Sequence, residues 1–241
     1  MVKSLTQLKK LTISDCEKTE AIIMEEEGLG METSEILAFP MLTDLHLERL
    51  KSLTCFSHGK CARESGSQDR VTSRATVLFN QEDSRYIQHL QTLDVSHCDG
   101  LLNMFTPTIA ENLVALTKLR ISNCRILTEV INDEKGGDDR VVAFNQLKYM
   151  ELDGLIGLRS FSSGGYTLMF PLLEDIIVTR CPNMKFFSQG PMEASKLKRV
   201  QVSKEVWFWA RNLNITIQNM FEEMVRTSYQ IPCIWMVLTT K

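Results

Sequence analysis

Seven segments of the chain carry one arrangement of apolar positions. Aligned on Leu8, Leu42, Leu90, Leu116, Leu147, Leu173 and Leu197, they are apolar again three residues on, at Leu11, Leu45, Leu93, Leu119, Met150, Ile176 and Val200. Five residues on come Ile13, Leu47, Val95, Ile121, Leu152, Val178 and Val202. All 21 positions are apolar in a chain that is 44% hydrophobic, so the coincidence is a repeat. The spacing of two between the second and third positions predicts a short strand with both side chains facing inward. At offset eight stand Cys16, Leu50, Cys98, Cys124, Leu155 and Cys181, and at offset fourteen Ile22, Phe56, Met104, Val130, Phe161 and Phe187. The seventh segment breaks at both, with Glu205 and Arg211.

The pattern L-x-x-L-x-[LIV]-x-x-[CL]-x-x-L-x-x-Φ, with Φ apolar, matches the leucine-rich-repeat consensus. The expected fold is an α/β solenoid, a leucine-rich-repeat horseshoe. Its strands line a parallel concave sheet, its return segments are irregular or short helices, and a C-terminal helix caps it. About seven repeats occupy residues 1–211. Start-to-start spacings of 34, 48, 26, 31, 26 and 24 residues place insertions near 24–35, 57–86 and 132–140. Lacking apolar periodicity, these read as solvated loops, and partner contact is the functional alternative. Within the longest, Thr76–Asn80 (TVLFN) is compatible with a strand left from a decayed repeat. Leu213, Ile217, Phe221 and Met224 recur at helical spacing, so a capping helix is expected over 212–226, N-capped by Asn212 or Asn214. The tail, 227–241, fits no pattern. The repeat is already running within seven residues of Met1, which suggests a piece of something longer.

Charge and cysteines add exclusions. A net charge of −3 with both signs dispersed gives no argument for nucleic acid or an anionic membrane. No signal peptide opens the chain, and the apolar run Ile234–Leu238 is far short of the ~20 residues that span a bilayer, so a cytoplasmic protein without a membrane span is expected. Cysteines that follow the repeat point to reduced, buried thiols. Cys55, His58 and Cys61 have ligand-like spacing, but they make three ligands where zinc wants four. Neither a phosphate-binding loop nor a Gly-x-Ser-x-Gly elbow is present. His46 between Asp44 and Glu48 lacks any sign of a desolvating pocket. No catalytic, cofactor or metal residue is therefore assigned, and no cofactor is expected. Asn214-Ile215-Thr216 is a formal glycosylation sequon, irrelevant without secretion.

What remains is the strand surface. Residues flanking the inward positions point into the groove. The candidates for protein binding there are Lys10, Asp44, His46, Glu48, Asp94, Lys118, Arg120, Tyr149, Glu151, Asp153, Asp175, Arg199 and Gln201. The second and fifth strands look acidic and the fourth basic, a mixed surface suited to a protein partner.

The phrases LKKLTISDCEKTEAII, FPMLTDLHLERLKSLTCF, LTKLRISNCRILTEVI and FPLLEDIIVTRCPNMKFF resemble one family, as does the closing WFWARNLNITIQNMFEE. They look like the C-terminal repeats of plant coiled-coil, nucleotide-binding, leucine-rich-repeat disease resistance proteins. The resemblance covers about residues 4–225. It implies a recognition and regulatory module. Its partner would be a pathogen effector, a guarded host protein or the receptor's own nucleotide-binding domain, which the repeats hold inactive. The alternatives are an adaptor such as a ubiquitin-ligase substrate receptor, and a truncated product with no separate function. An enzyme is the reading least supported.

Overall fold

The computed structural model describes residues 5, 7–24, 39–58, 77–132, 140–202, 206–209 and 212–230, apart from the side chains of 24, 58, 82 and 224–230. The first unit gives β1 (Lys10–Ser14) and β2 (Ala21–Met24), and the second β3 (Asp44–Glu48) and β4 (Cys55–His58). An inserted stretch follows, made of β5 (Val77–Phe79), a 3-10 turn (Gln81–Asp83) and α1 (Ser84–Ile87). The third unit supplies β6 (Thr92–Ser96), β7 (Asn103–Phe105) and α2 (Pro107–Asn112). The fourth has β8 (Lys118–Ser122), β9 (Glu129–Ile131) and β10 (Val141–Ala143). The fifth has β11 (Tyr149–Asp153), β12 (Ser160–Ser162) and β13 (Thr167–Met169). The sixth has β14 (Asp175–Thr179) and β15 (Met192–Glu193). The chain closes with β16 (Val200–Gln201), β17 (Trp207–Phe208) and α3 (Leu213–Gln230).

The predicted strands form one sheet that β17 extends, ordered β1-β3-β6-β8-β11-β14-β16-β17, parallel except for the last pair. Its register follows the sequence repeat: Leu11, Leu45, Leu93, Leu119, Met150, Ile176 and Val200 are neighbours across successive strands. From β3 to β14, the inward positions of every strand are buried and the residues flanking them are half-buried or exposed. The pleat thus sorts the chain into a core side and an open face.

The return segments depart from expectation. The expected short helices are there as α1 and α2, but much of the return chain builds further parallel sheets, β2-β4, β5-β7-β9-β12 and β10-β13-β15. Equivalent residues of successive units lie side by side, so their backbone N–H and C=O groups find each other and the buried return chain is satisfied as a ladder. The result is a repeat fold of stacked parallel sheets around one continuous core. In that core Phe144 stacks on Phe170 at 5.3 Å and Phe161 on Phe187 at 4.7 Å, and the two pairs meet edge-on at 76–79°. Such contacts add about 0.5–1.5 kcal/mol each beyond burial.

The turn after each strand has a regularity that the side chains did not announce. Asp15, Arg49, His97, Asn123, Gly154 and Arg180 all have φ between 52° and 65°. Each stands at offset seven, directly before the Cys or Leu that plugs the core. The left-handed residue costs a non-glycine side chain about 1–2 kcal/mol. It turns the chain inward while its N–H still donates to the next strand, as Arg49 does to Ser96 at 2.9 Å and Asn123 to Asp153 at 2.8 Å. At Gly154 a Cβ would also come within 2.4 Å of Asn123 Oδ1. One residue on, Cys98, Cys124 and Cys181 are buried free thiols bonding strand-end carbonyls, Cys181 Sγ to the Thr179 carbonyl at 3.3 Å. Cys16 makes the same bond to Ser14 but is exposed, against expectation: among the described residues no strand stacks on the far side of β1.

The insertion expected as a loop over 57–86 is in part core. Ser57 and His58 belong to β4, and beyond them Leu78, Phe79, Tyr86 and Ile87 are buried. Phe79 fits between Phe56 at 5.0 Å and Phe105 at 6.1 Å. The apolar TVLFN therefore adds a strand, β5, to the return-side sheet with no partner of its own in the main one. The buried Asp83 carboxylate ties it down, accepting from the Ser57 hydroxyl and the Asn80 N–H. Met24 ends β2, so the first insertion begins after it, and its remainder, 25–35, lies outside the described residues, as does 133–139 of the third.

Helix α3 runs to Gln230, four residues past the expected end. Asn212 is its N-cap, Oδ1 accepting from the Ile215 N–H at 2.9 Å. Leu213, Thr216 and Ile217 are buried and Met220 packs on the core; Phe221 is half-buried, and the Met224 side chain lies outside the described residues, as do Glu205, Arg211 and the tail 231–241. Asn214 has a separate job. Its Oδ1 accepts from the Phe187 and Ser188 N–H groups at 2.8 and 2.9 Å, and its Nδ2 donates to the Ser188 carbonyl at 2.5 Å. The side-chain amide takes the place of the next strand's peptide on the return side.

Candidate functional site, the open face of the main sheet

On the open face each main-sheet strand from β1 to β14 contributes three side chains, and the register sets them in rows. The middle row reads Thr12, His46, Asp94, Arg120, Glu151, Ile177 and Gln201. Parallel strands lie about 4.8 Å apart, so neighbours in a row are within side-chain reach. Arg120 uses that reach in both directions. Its Nη1 is 3.1 Å from Asp94 Oδ2, and its Nε is 2.9 Å from Glu151 Oε2. His46 Nδ1 stands 3.7 Å from the same Asp94 carboxylate, and the Tyr149 hydroxyl donates to Glu151 at 2.6 Å.

The basic patch of the fourth strand is therefore free only in part: Lys118 has no carboxylate partner among the described residues, whereas Arg120 does. Its arginine is neutralised between Asp94 of the third and Glu151 of the fifth, and Glu151 is spent in the same network. Sequence order separates Asp94, Arg120 and Glu151 by 26 and 31 residues, and stacking erases that distance. The Glu151 hydrogen bond raises the Arg120 pKa above its ordinary value. Burial, and then the bond to Glu151, push the Tyr149 hydroxyl up to about 12. The group is a bonded lattice in which Arg120 and Tyr149 are held in their protonated forms.

The other candidates sit apart from this centre. Lys10 is exposed on β1, and Asp44 accepts from the neighbouring Thr43 hydroxyl at 2.7 Å. Glu48 pairs with Arg49. Asp153 is gripped by Arg180 and by Thr179, whose hydroxyl donates at 2.5 Å. The Arg180 hydrogen bond holds its carboxyl below the usual value, against the opposing effect of burial. Asp175 is exposed, and Arg199 stacks over the Trp207 ring at 3.8 Å, beside Gln201, which pairs with Trp207 across the last strands. Three participants were missed in the sequence. Arg49 and Arg180 fall one residue outside the strand window, and Trp207 lies in a strand that the repeat does not predict.

Cys55 and His58 lie on β4, whereas Cys61 is outside the described residues; among those described, no group of three His, Cys, Asp or Glu residues is placed to hold a metal ion. The sequon asparagine, Asn214, holds three side-chain hydrogen bonds to the return side of the last unit. No described helix is long and apolar enough to cross a membrane.

Comparison with known proteins agrees with this architecture. Residues 75–205 match the family model described as plant disease resistance protein RPS2-like, leucine-rich repeats. The chain is similar to the disease resistance protein SUMM2 of Arabidopsis thaliana, 26% identical over 167 residues, which is 68% of this chain and 17% of that protein. It is also similar to a probable disease resistance protein of the same plant, 28% identical over 183 residues, 74% of this chain and 18% of that one. The chain thus spans less than a fifth of the length of these relatives. No solved structure matches it. Because the family model covers more than half of its residues, the chain belongs to the leucine-rich repeats of the RPS2-like plant disease resistance proteins.

Proposed function

We propose that this chain is the recognition and regulatory module of a plant intracellular immune receptor, with the open face of the main sheet as its protein-binding surface. On this reading the stacked units curve into a horseshoe with that sheet on the concave side. The ligand is a pathogen effector or a host protein that effectors alter. In the absence of ligand the array restrains the receptor's nucleotide-binding domain in the cytoplasm.

One observation carries the proposal. Six strands in unbroken register place every second side chain on one face, and that face is polar and mixed in sign. Such a surface suits complementary charges on a partner and favours no single-sign polymer. The test reverses half-buried or exposed charges that lie outside the central network. Asp44→Lys, Glu48→Lys and Asp175→Arg are introduced into the protein in its plant of origin, with Glu111→Lys on α2 as the off-face control. The expected result is loss of pathogen-induced defence at unchanged protein level, with the control unaffected. Defence retained in the triple variant, or lost equally in the control, would overturn the assignment.

A further inference from the structure

Cations on the open face are held in two different ways. In the middle and at the near rim, arginines answer to carboxylates: Arg120 to Asp94 and Glu151, Arg49 to Asp15. Toward the last strands the partners are aromatic. Lys118 Nζ lies 5.2 Å over the Tyr149 ring and the Arg199 guanidinium 3.8 Å over Trp207. Among the described residues, neither cation has a carboxylate within ion-pair distance. A ring attracts a cation by about 0.5–1 kcal/mol at an exposed site, yet leaves its charge uncancelled.

This corner is also where large apolar groups are left in water. Trp207 lies opposite Gln201 in the antiparallel pair, so it shares the open face, and Trp209 has the same parity two residues on. They are 37% and 41% exposed. Ile177, next to Gln201 in the register, is half-buried on the same face. At the entry edge of these strands Lys118, Lys148, Lys198 and Arg199 outnumber Glu174 and Asp175, so the corner is net positive. Exposed tryptophan beside arginine is the composition that dominates binding energy at protein interfaces.

Resting on the open-face reading above, we infer that this corner, Trp207 and Ile177 flanked by Arg199 and Lys118, docks an acidic segment of a protein partner that carries a bulky apolar side chain. Lys118 and Arg199 are three strands apart, about 14 Å. An extended segment spans that distance in about four residues, so carboxylates at positions i and i+4 reach the two cations. A side chain at i+2 points the same way and falls over β11 and β14, beside Ile177, while Trp207, one strand beyond Arg199, borders the i+4 end.

The probe is the peptide acetyl-Asp-Ser-Phe-Ser-Asp-amide, labelled for anisotropy, with its Lys-for-Asp and Ala-for-Phe counterparts. Tryptophan emission gives a second signal, since two of the chain's three tryptophans sit in this corner. The acidic peptide should bind at least tenfold more tightly than the lysine and alanine forms, weaken with added salt, and shift the tryptophan emission to the blue. Arg199→Glu and Trp207→Ala should each cost at least tenfold, Arg199→Lys much less, and Glu111→Lys, off the face on α2, nothing. All these side chains are exposed or half-exposed, and circular dichroism checks the fold. Equal binding of the acidic and basic peptides, or indifference to Arg199→Glu in a folded protein, overturns the inference. If Asp44 and Glu48 reversal silences defence while Arg199→Glu and Trp207→Ala do not, the corner fails and the open-face assignment stands.

Discussion

Asn214 makes the sharpest demand on the structure. In the interior of the array, Phe161 and Ser162 donate their N–H groups to the Phe187 carbonyl. The N–H groups of Phe187 and Ser188 face outward from the last unit and would be unpaired without the Asn214 side chain. Replacing it with Ala removes three hydrogen bonds at a half-buried edge. At about 0.5–1.5 kcal/mol each, the loss is about 1.5–4.5 kcal/mol. Alanine's better helix propensity returns about 0.5 kcal/mol near the start of α3, so a net loss of about 1–4 kcal/mol is expected. Asn214→Leu keeps the bulk without the bonds and should be nearly as damaging. Asn212→Ala, which removes only the N-cap, should cost about 1 kcal/mol. Repeat arrays open from their ends. The readout is therefore hydrogen exchange at Phe187 and Ser188 alongside denaturant unfolding, with roughly 30-fold faster exchange for 2 kcal/mol. If Asn214→Ala exchanges as slowly as the parent, or Asn214→Leu restores protection, packing and not the amide closes this edge.

The remaining expectations concern charge and thiols. Arg180 holds the Asp153 carboxyl below its unfolded value, so the stability it contributes is complete above about pH 4, the unfolded carboxylate range, and is lost as pH falls through the lower folded value. Urea unfolding between pH 7 and pH 2 should show Asp153→Asn to be less stable at neutrality and flatter on the acid side; an unchanged acid limb refutes the pairing. Arg180 is mostly exposed, so the difference should be below about 1 kcal/mol. Under native conditions an alkylating reagent should modify Cys16 rapidly and spare Cys98, Cys124 and Cys181, since the first is exposed and the others are buried. Burial lifts the Cys181 thiol to about 12, leaving almost no thiolate at neutral pH. Mass spectrometry that finds Cys181 labelled as fast as Cys16 would contradict the packing.

The apolar periodicity by itself determined the strands, their order and their register, because a two-residue pleat repeated against one core leaves a single way to bury Leu11, Leu45, Leu93 and their equivalents. It also determined which residues face outward, and the break after Val202 marked where the repeat gives way to a helix. Three things needed the tertiary structure. The left-handed residue at offset seven is Asp, Arg, His, Asn, Gly or Arg, and no shared side chain reveals it, because stacking and not local preference imposes the turn. The return segments become sheets because neighbouring units present unpaired backbone to each other, a demand that no single unit's sequence expresses. Charges read strand by strand as acidic and basic patches cancel across the sheet, since the 4.8 Å between strands brings together Asp94, Arg120 and Glu151, which lie 26 and 31 residues apart along the chain. Periodicity decides what is buried; proximity between units decides which surface charges stay free for a partner.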